Sequence, residues 1–251
     1  MTPVTNNGKS DIGFGKKVRA LWLDLALDFV ADGVSFEDAK PMLSEVVRND
    51  NPGIDAIRKI LVGVNRVWFN PPDYCRATRD AAVALFQRDD RPNQRVVLHW
   101  GMSIAAYPFI GAVGEAIGRL FRLQETASIR DVKRRVGERF GEREFVERIV
   151  RFDVSSFLDW GVLVAAGRKG DYMAAKPIPV SNPSHTSWLI EALLHTRSEG
   201  GLSLSQIRGH PLLFPFALED LSSGAAVSRS NPRIDTMRHG HTEELVMLRE
   251  G

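Results

Sequence analysis

The side chains in this sequence best equipped for chemistry are a cluster of arginines and lysines. Between residues 128 and 151, Arg130, Lys133, Arg134, Arg135, Arg139, Arg143, Arg148 and Arg151 stand against Asp131, Glu138, Glu142, Glu144 and Glu147, a clear local excess of positive charge in a chain whose net charge is only +2. Arg143, Glu147, Arg151 and Ser155 recur every four residues, with Arg148 beside them and Phe145 and Ile149 turned elsewhere, so a helix here presents guanidinium forks and a hydroxyl on one face. Such forks match phosphates and guanine edges bidentately. Further on, Arg168 and Lys169 lie between Gly167 and Gly170, the pattern of a tight hairpin tip from which long side chains reach phosphates. The competing reading is a solvated helix face laced with ion pairs worth ~0.3–0.5 kcal/mol each, with Glu142, Glu144 and Glu147 repelling phosphate.

Other residues offer weaker chemistry. Gly101-Met102-Ser103-Ile104-Ala105 resembles a nucleophile elbow with Ala in place of the last Gly, and leaves a serine esterase as an outside alternative. An esterase of that kind needs several parallel strands alternating with helices, and the sequence shows almost none. Gly8-Lys9-Ser10 ends like a phosphate-binding loop but has Pro3 where that motif requires Gly, so it reads as tail. Of the histidines only His239 and His241 are close, without a third ligand in view, so no metal site is expected. His99, next to Trp100, reads as a packed or capping histidine. Cys75 is the only cysteine, reads as a half-buried thiol, and can form no internal disulfide. No cofactor is expected.

These residues must be positioned by helices. With 251 residues, 43% of them hydrophobic and 25% charged, the chain can bury a sizeable core. Residues 1–14 read as a flexible tail. Residues 15–90 read as a helical bundle: a helix from about 16 to 31 with Val18, Leu21, Trp22, Leu25 and Phe29 in one stripe, a second opened by Ser35 and Asp38, a third carrying Ile54, Ile57, Leu61, Val64 and Trp68, and a fourth after Pro71-Pro72. The stretch 87–93, QRDDRPN, is the strongest linker signal in the first half, and residues 180–183 read as a further linker. Residues 94–180 follow, then a C-terminal helical unit over 184–251 with a helix at 187–197, a Ser203-to-Gln206 capping pattern and a hairpin between Arg233 and Leu248. The five tryptophans fall in apolar helical stripes and are expected in the core. At least half the residues should be helical, with strands mainly in the two hairpins. No apolar run approaches the ~20 residues of a membrane span and the N-terminus lacks a signal-peptide core, so a cytoplasmic protein is expected.

Within 107–176 the order is helix; a short helix with Ser128 as N-cap and Ile129, Val132, Val136 and Phe140 as its stripe; a stop at Gly141; a longer helix ending in DWGVL; and the Gly-Arg-Lys-Gly hairpin. This resembles the winged helix-turn-helix superfamily. The resemblance implies that residues 94–180 form a winged helix-turn-helix; with the stripes on either side, a mainly α protein is expected, with an N-terminal helical bundle, this central domain and a C-terminal helical unit with a β-hairpin, whose loosely repeated order of elements makes it a candidate second winged helix. The resemblance further implies non-enzymatic binding of double-stranded DNA, as a regulator or a subunit of a bacterial DNA-handling or defence complex. Arg134, Arg135, Arg143, Arg148, Arg151, Arg168 and Lys169 would then be the contacting residues, the long helix in the major groove and the hairpin on the backbone. The alternative from the same resemblance is a scaffold whose winged helix docks a partner protein.

Overall fold

The computed structural model describes residues 12–50, 52–197, 200–219, 221–239 and 243–249. It is mainly helical, with 63% helix and 11% strand. In chain order the first helices are α1 (Ala20–Ala31), α2 (Phe36–Asp50) and α3 (Ile54–Val64), the last running into one π-helical turn at Asn65–Phe69. After a short 3-10 turn at Asp73–Cys75 come α4 (Arg76–Arg88), α5 (Pro92–Ala106) and α6 (Pro108–Phe121). The central stretch is β1 (Ala127–Ser128), α7 (Ile129–Phe140), α8 (Glu144–Asp159), β2 (Leu163–Ala165) and β3 (Asp171–Ala174). The chain closes with β4 (Ile178–Val180), α9 (Pro183–Leu194), β5 (Leu202–Ser203), α10 (Leu204–Arg208), a 3-10 turn at Pro211–Leu213, β6 (Phe216–Leu218), α11 (Gly224–Ser230), β7 (Ile234–His239) and β8 (Glu243–Leu248).

The helix α5 is apolar on every side and buried without interruption from Val97 to Ala106, the composition of a helix enclosed by others rather than laid on a surface. It touches α1, α4, α6 and α9. One hydrophobic cluster joins Phe14, Trp68, Trp100, Phe157, Trp188 and Val246, so the stretches 15–90, 94–180 and 184–251 share a core. All five tryptophans lie in it. The expected linker shrinks to residues 89–91, because Gln87 and Arg88 finish α4 and Pro92 takes the first position of α5, where its missing N–H is not needed. No single helix among the described residues is long and apolar enough to cross a membrane; α5 and α6 pass such a test only as a pair, and that pair is bent by 117°.

Two stretches of the chain repeat one topology. From α6, the order is helix, two-residue strand, helix, helix, hairpin, and the sheet runs β1-β3-β2, with Ala127 opposite Tyr172 and Leu163 opposite Ala174, all antiparallel. From α9 the order is again helix, two-residue strand, helix, helix, hairpin, and the sheet runs β5-β8-β7, with Leu202 opposite Val246 and Ile234 opposite Leu248. In both, the short strand pairs with the second strand of the hairpin. The second unit carries an insertion between its last two helices, which contains β6. That strand pairs in parallel with β4, a sheet that the sequence did not suggest.

Of the expected tail, residues 1–11 lie outside the described residues. Gly13 and Phe14 are buried, and Phe14 packs edge-on against Tyr107 and Trp160 at 5.6 and 6.0 Å between ring centroids. Gly8-Lys9-Ser10 lies outside the described residues.

Candidate nucleic-acid interface

The arginine-bearing helices form where local chemistry favours them. Ser128 caps α7: its hydroxyl oxygen accepts from the Asp131 N–H at 3.1 Å and donates to the Asp131 carboxylate at 2.6 Å, which places a negative charge at the positive end of the helix. Val132 and Val136 turn inward and Gly141 ends the helix. Three residues later α8 begins, burying Val146, Ile149, Val150, Val154 and Phe157. It ends in a Schellman arrangement: Gly161 at φ +71° donates to the Leu158 carbonyl at 3.2 Å and Val162 to that of Phe157 at 3.1 Å. Gly161 thereby turns the chain directly into β2.

The inner face of α8 is held by a strap. Residues 13–20 run along it, and their backbone groups bond to its side chains: Phe14 N–H to Asp153 Oδ1 at 3.0 Å, Val18 N–H to Ser156 Oγ at 2.8 Å and Ala20 N–H to Asp159 Oδ1 at 2.9 Å. Trp160 Nε1 returns a bond to the Val18 carbonyl at 3.0 Å, and Lys17 and Arg19 pair with Asp159. The first helix starts at Ala20 and not at residue 16, and the Val18 carbonyl, which a helix begun at 16 would use as an acceptor, is taken by Trp160. Asp153 is fully enclosed and its Oδ2 has no partner; burial pushes its carboxyl well above the usual range, opposed by the Phe14 bond.

The outer face of α8 carries Glu144, Glu147, Arg148 and Arg151, all exposed. Glu147 repels phosphate less than its charge suggests, because Lys133 of α7 bonds it at 2.9 Å and Arg151 stands 3.9 Å away. The Lys133 hydrogen bond is the main cause that holds its carboxyl below the ordinary value. Ser155 donates its hydroxyl hydrogen back to the Arg151 carbonyl at 2.7 Å. Arg148 lies over the Phe145 ring at 5.5 Å. Arg134, on the exposed side of α7, pairs loosely with Asp131 at 3.4 Å. Arg168 and Lys169 are exposed at the tip of the β2–β3 hairpin, where the Asp171 N–H bonds the Arg168 carbonyl at 3.0 Å. Among the described residues Arg143, Arg148, Arg168 and Lys169 form no ion pair. Arg135 does not join them. It turns to the other edge of α7 and lines a groove against Ala112, Glu115 and Arg119 of α6.

A cleft of roughly 480 Å³, not expected from the sequence, opens on the flank of α8. Phe145, Arg148 and Ile149 form one wall, Arg58, Lys59, Val62 and Gly63 of α3 the other, and Tyr107 and residues 12, 13 and 15 complete it.

Comparison with protein-family models, curated proteins and solved structures finds no match for this chain.

The remaining candidates sit in structural surroundings. Ser103 lies inside the single helix α5, fully buried, with no partner for its hydroxyl; the strand-turn-helix frame of a nucleophile elbow is absent there. Cys75 is fully buried rather than half-buried, and burial pushes its thiol up to about 11. His99 is enclosed as expected, bonded to Asp24 at 2.9 Å with the Trp68 ring edge-on at 5.5 Å. His241 lies outside the described residues, as does the side chain of His239. Among the described residues no group of three His, Cys, Asp or Glu could hold a metal ion.

Proposed function

We propose that residues 107–176 form a winged helix-turn-helix and that the protein binds double-stranded DNA without catalysing a reaction on it, as a regulator or as a subunit of a DNA-handling complex. One observation carries this reading. The unit with sheet order β1-β3-β2 turns outward one face of a 16-residue helix whose Arg148 has no carboxylate partner among the described residues, beside a hairpin tipped by Arg168 and Lys169. By the docking logic of helix-turn-helix proteins, α8 enters the major groove and the hairpin tip meets the backbone. Arg148 and Arg151 are then the groove residues, Arg143 sits at the helix start, and Arg134 reaches flanking phosphate. Arg135 leaves the set.

The repeated topology extends the proposal to a second winged helix over 184–251. Its counterpart of α8 is α11, only seven residues long and carrying one cation in its last turn, Arg229. A helix of two turns with one cation is a poor groove reader, and the second unit therefore serves packing first.

The test is a mobility titration of purified protein on duplex DNA at increasing salt. Binding should be present at ~50 mM salt and weaken as a power of salt concentration, because each neutralised phosphate releases counterions. Arg168→Ala with Lys169→Ala should weaken binding about equally on all sequences, and loss of a base-reading arginine on α8 should cost about 1–3 kcal/mol on a preferred site. The absence of any binding at ~50 mM salt refutes the proposal. The second reading, docking of a protein, rests on Val164 and Met173, cross-strand partners on the hairpin that are both exposed.

A further inference from the structure

The cleft between α3 and α8 has a chemistry of its own. Its charged lining is entirely cationic: Arg58 and Lys59 on one bank and Arg148 on the other. One carboxylate, Asp55, serves the first two, at 2.8 and 2.6 Å, and their hydrogen bonds pull it down to about 2. None serves Arg148 among the described residues. Between the banks lie Val62, Phe145, Ile149 and the backbone of the glycines, with Val62 46% exposed. One turn beyond Arg148 on α8, Lys16 stands over Phe152 at 5.3 Å, which carries the basic edge about 6 Å further along the helix axis.

We propose that this cleft seats the sugar–phosphate backbone of duplex DNA, so that the N-terminal bundle is part of the DNA-binding surface. The inference rests on the DNA-binding reading above. The lining offers cations for phosphate oxygens and apolar surface for sugar carbons. A strand seated there meets Arg58 and Lys59 through its phosphates and sugars and not its base edges, so these contacts position the duplex and carry no sequence information. Like charges brought together across a cleft repel, and a polyanion laid between them removes the repulsion. The position fits as well: Arg148 belongs both to the cleft wall and to the exposed face of α8, so a strand in the cleft is continuous with a groove occupied by that helix. The hairpin then holds one flank of the site and α3 the other.

The experiment compares three variants with the wild type on one duplex across a salt series, after thermal unfolding has confirmed that each is folded. Arg58→Ala with Lys59→Ala should lower the slope of log affinity against log salt by about two units, equally on unrelated sequences. Val62→Glu, which places a carboxylate in an already exposed position of the cleft, should weaken binding at least tenfold at ~50 mM salt. Arg76→Ala with Arg88→Ala, two exposed cations of α4 outside the cleft lining, removes the same charge and should leave the slope within half a unit of the wild type. If the wild type binds DNA but the Arg58/Lys59 variant behaves like the remote pair, the cleft is not the backbone seat and the winged-helix reading stands alone. If the wild type does not bind DNA, both fall. If Val62→Glu changes the oligomeric state and leaves DNA affinity untouched, the cleft joins two copies of the chain and the inference is overturned.

Discussion

Glu191 should be the residue whose loss unfolds this protein most readily without touching its surface. Its carboxylate is 1% exposed on α9 and accepts four hydrogen bonds: from Thr78 Oγ1 at 2.7 Å, from Asn231 Nδ2 at 2.5 Å, and from Arg233 Nε and Nη2, both at 2.7 Å. Those donors come from α4 and from the turn before β7, so one side chain fastens the C-terminal unit to the N-terminal helices. Removing one member of a buried ion pair costs about 3–5 kcal/mol, and the low end applies to the pair itself because Arg233 is partly exposed and regains some hydration. Thr78 keeps His195 Nε2 at 2.9 Å, but Asn231 stays buried with only the Ser187 carbonyl at 3.5 Å, and its weakened donor adds about 1 kcal/mol. Glu191→Ala should therefore destabilise by about 4 kcal/mol, a fall in Tm of roughly 8–16 °C for a chain of this size, read by thermal or urea unfolding at neutral pH. Glu191→Gln keeps the shape and one acceptor and should cost about half as much. The pH dependence has a definite sign. Burial raises the Glu191 pKa, but the bonds from Arg233, Asn231 and Thr78 outweigh it and hold the folded value below the ordinary one. The stabilisation is thus complete above the unfolded carboxylate range and is lost as pH falls through the folded value. Glu191→Ala should lose that acid limb. A Tm within 2 °C of the wild type would refute the latch, as would an unchanged acid limb.

Three other outcomes follow from particular contacts. A Cβ added at Gly118 lies 1.9 Å from the Pro211 carbonyl oxygen, so Gly118→Ala should destabilise by about 1–3 kcal/mol despite a helix-propensity gain of up to ~1 kcal/mol, and a rise in Tm would contradict the packing of α6 on that turn. Burial raises the Asp153 carboxyl well above its ordinary value, so the wild type should lose stability relative to Asp153→Asn as pH rises from the unfolded carboxylate range toward the raised folded value, and a pH-independent difference would overturn this. Ser103→Ala removes a buried hydroxyl without a partner and should leave stability unchanged or raise it by up to about 1 kcal/mol. Labelling of native Ser103 by a serine-directed probe would revive the esterase.

What the sequence by itself determined is what short-range chemistry dictates. The Ser128 cap, the Ser203–Gln206 capping box, the Gly161 stop and the Gly-bounded hairpin tip are decided within a few residues, and the structure has each of them; the stripes hold less closely, since Leu21 and Ile54, expected on apolar faces, are exposed while Leu23 and Ala26 are buried. The outward turn of Arg148 and Arg151 follows from the same periodicity, since Ile149 and Val150 must face the core. Tertiary structure alone decided the rest. Periodicity shows that a helix has an apolar face but not which helix will cover it, so the enclosure of α5, the sharing of one core and the turning of Arg135 toward α6 were not readable. The strap on α8 pairs residues about 140 apart, and the Glu191 latch joins positions 40 to 113 apart. A polar residue inside an apolar stripe, as Asp153 and Glu191 are, shows that a partner exists but not where along the chain it lies. The α3–α8 cleft arises in the same way, because Arg58, Lys59 and Arg148 are ordinary surface cations until packing brings their helices side by side.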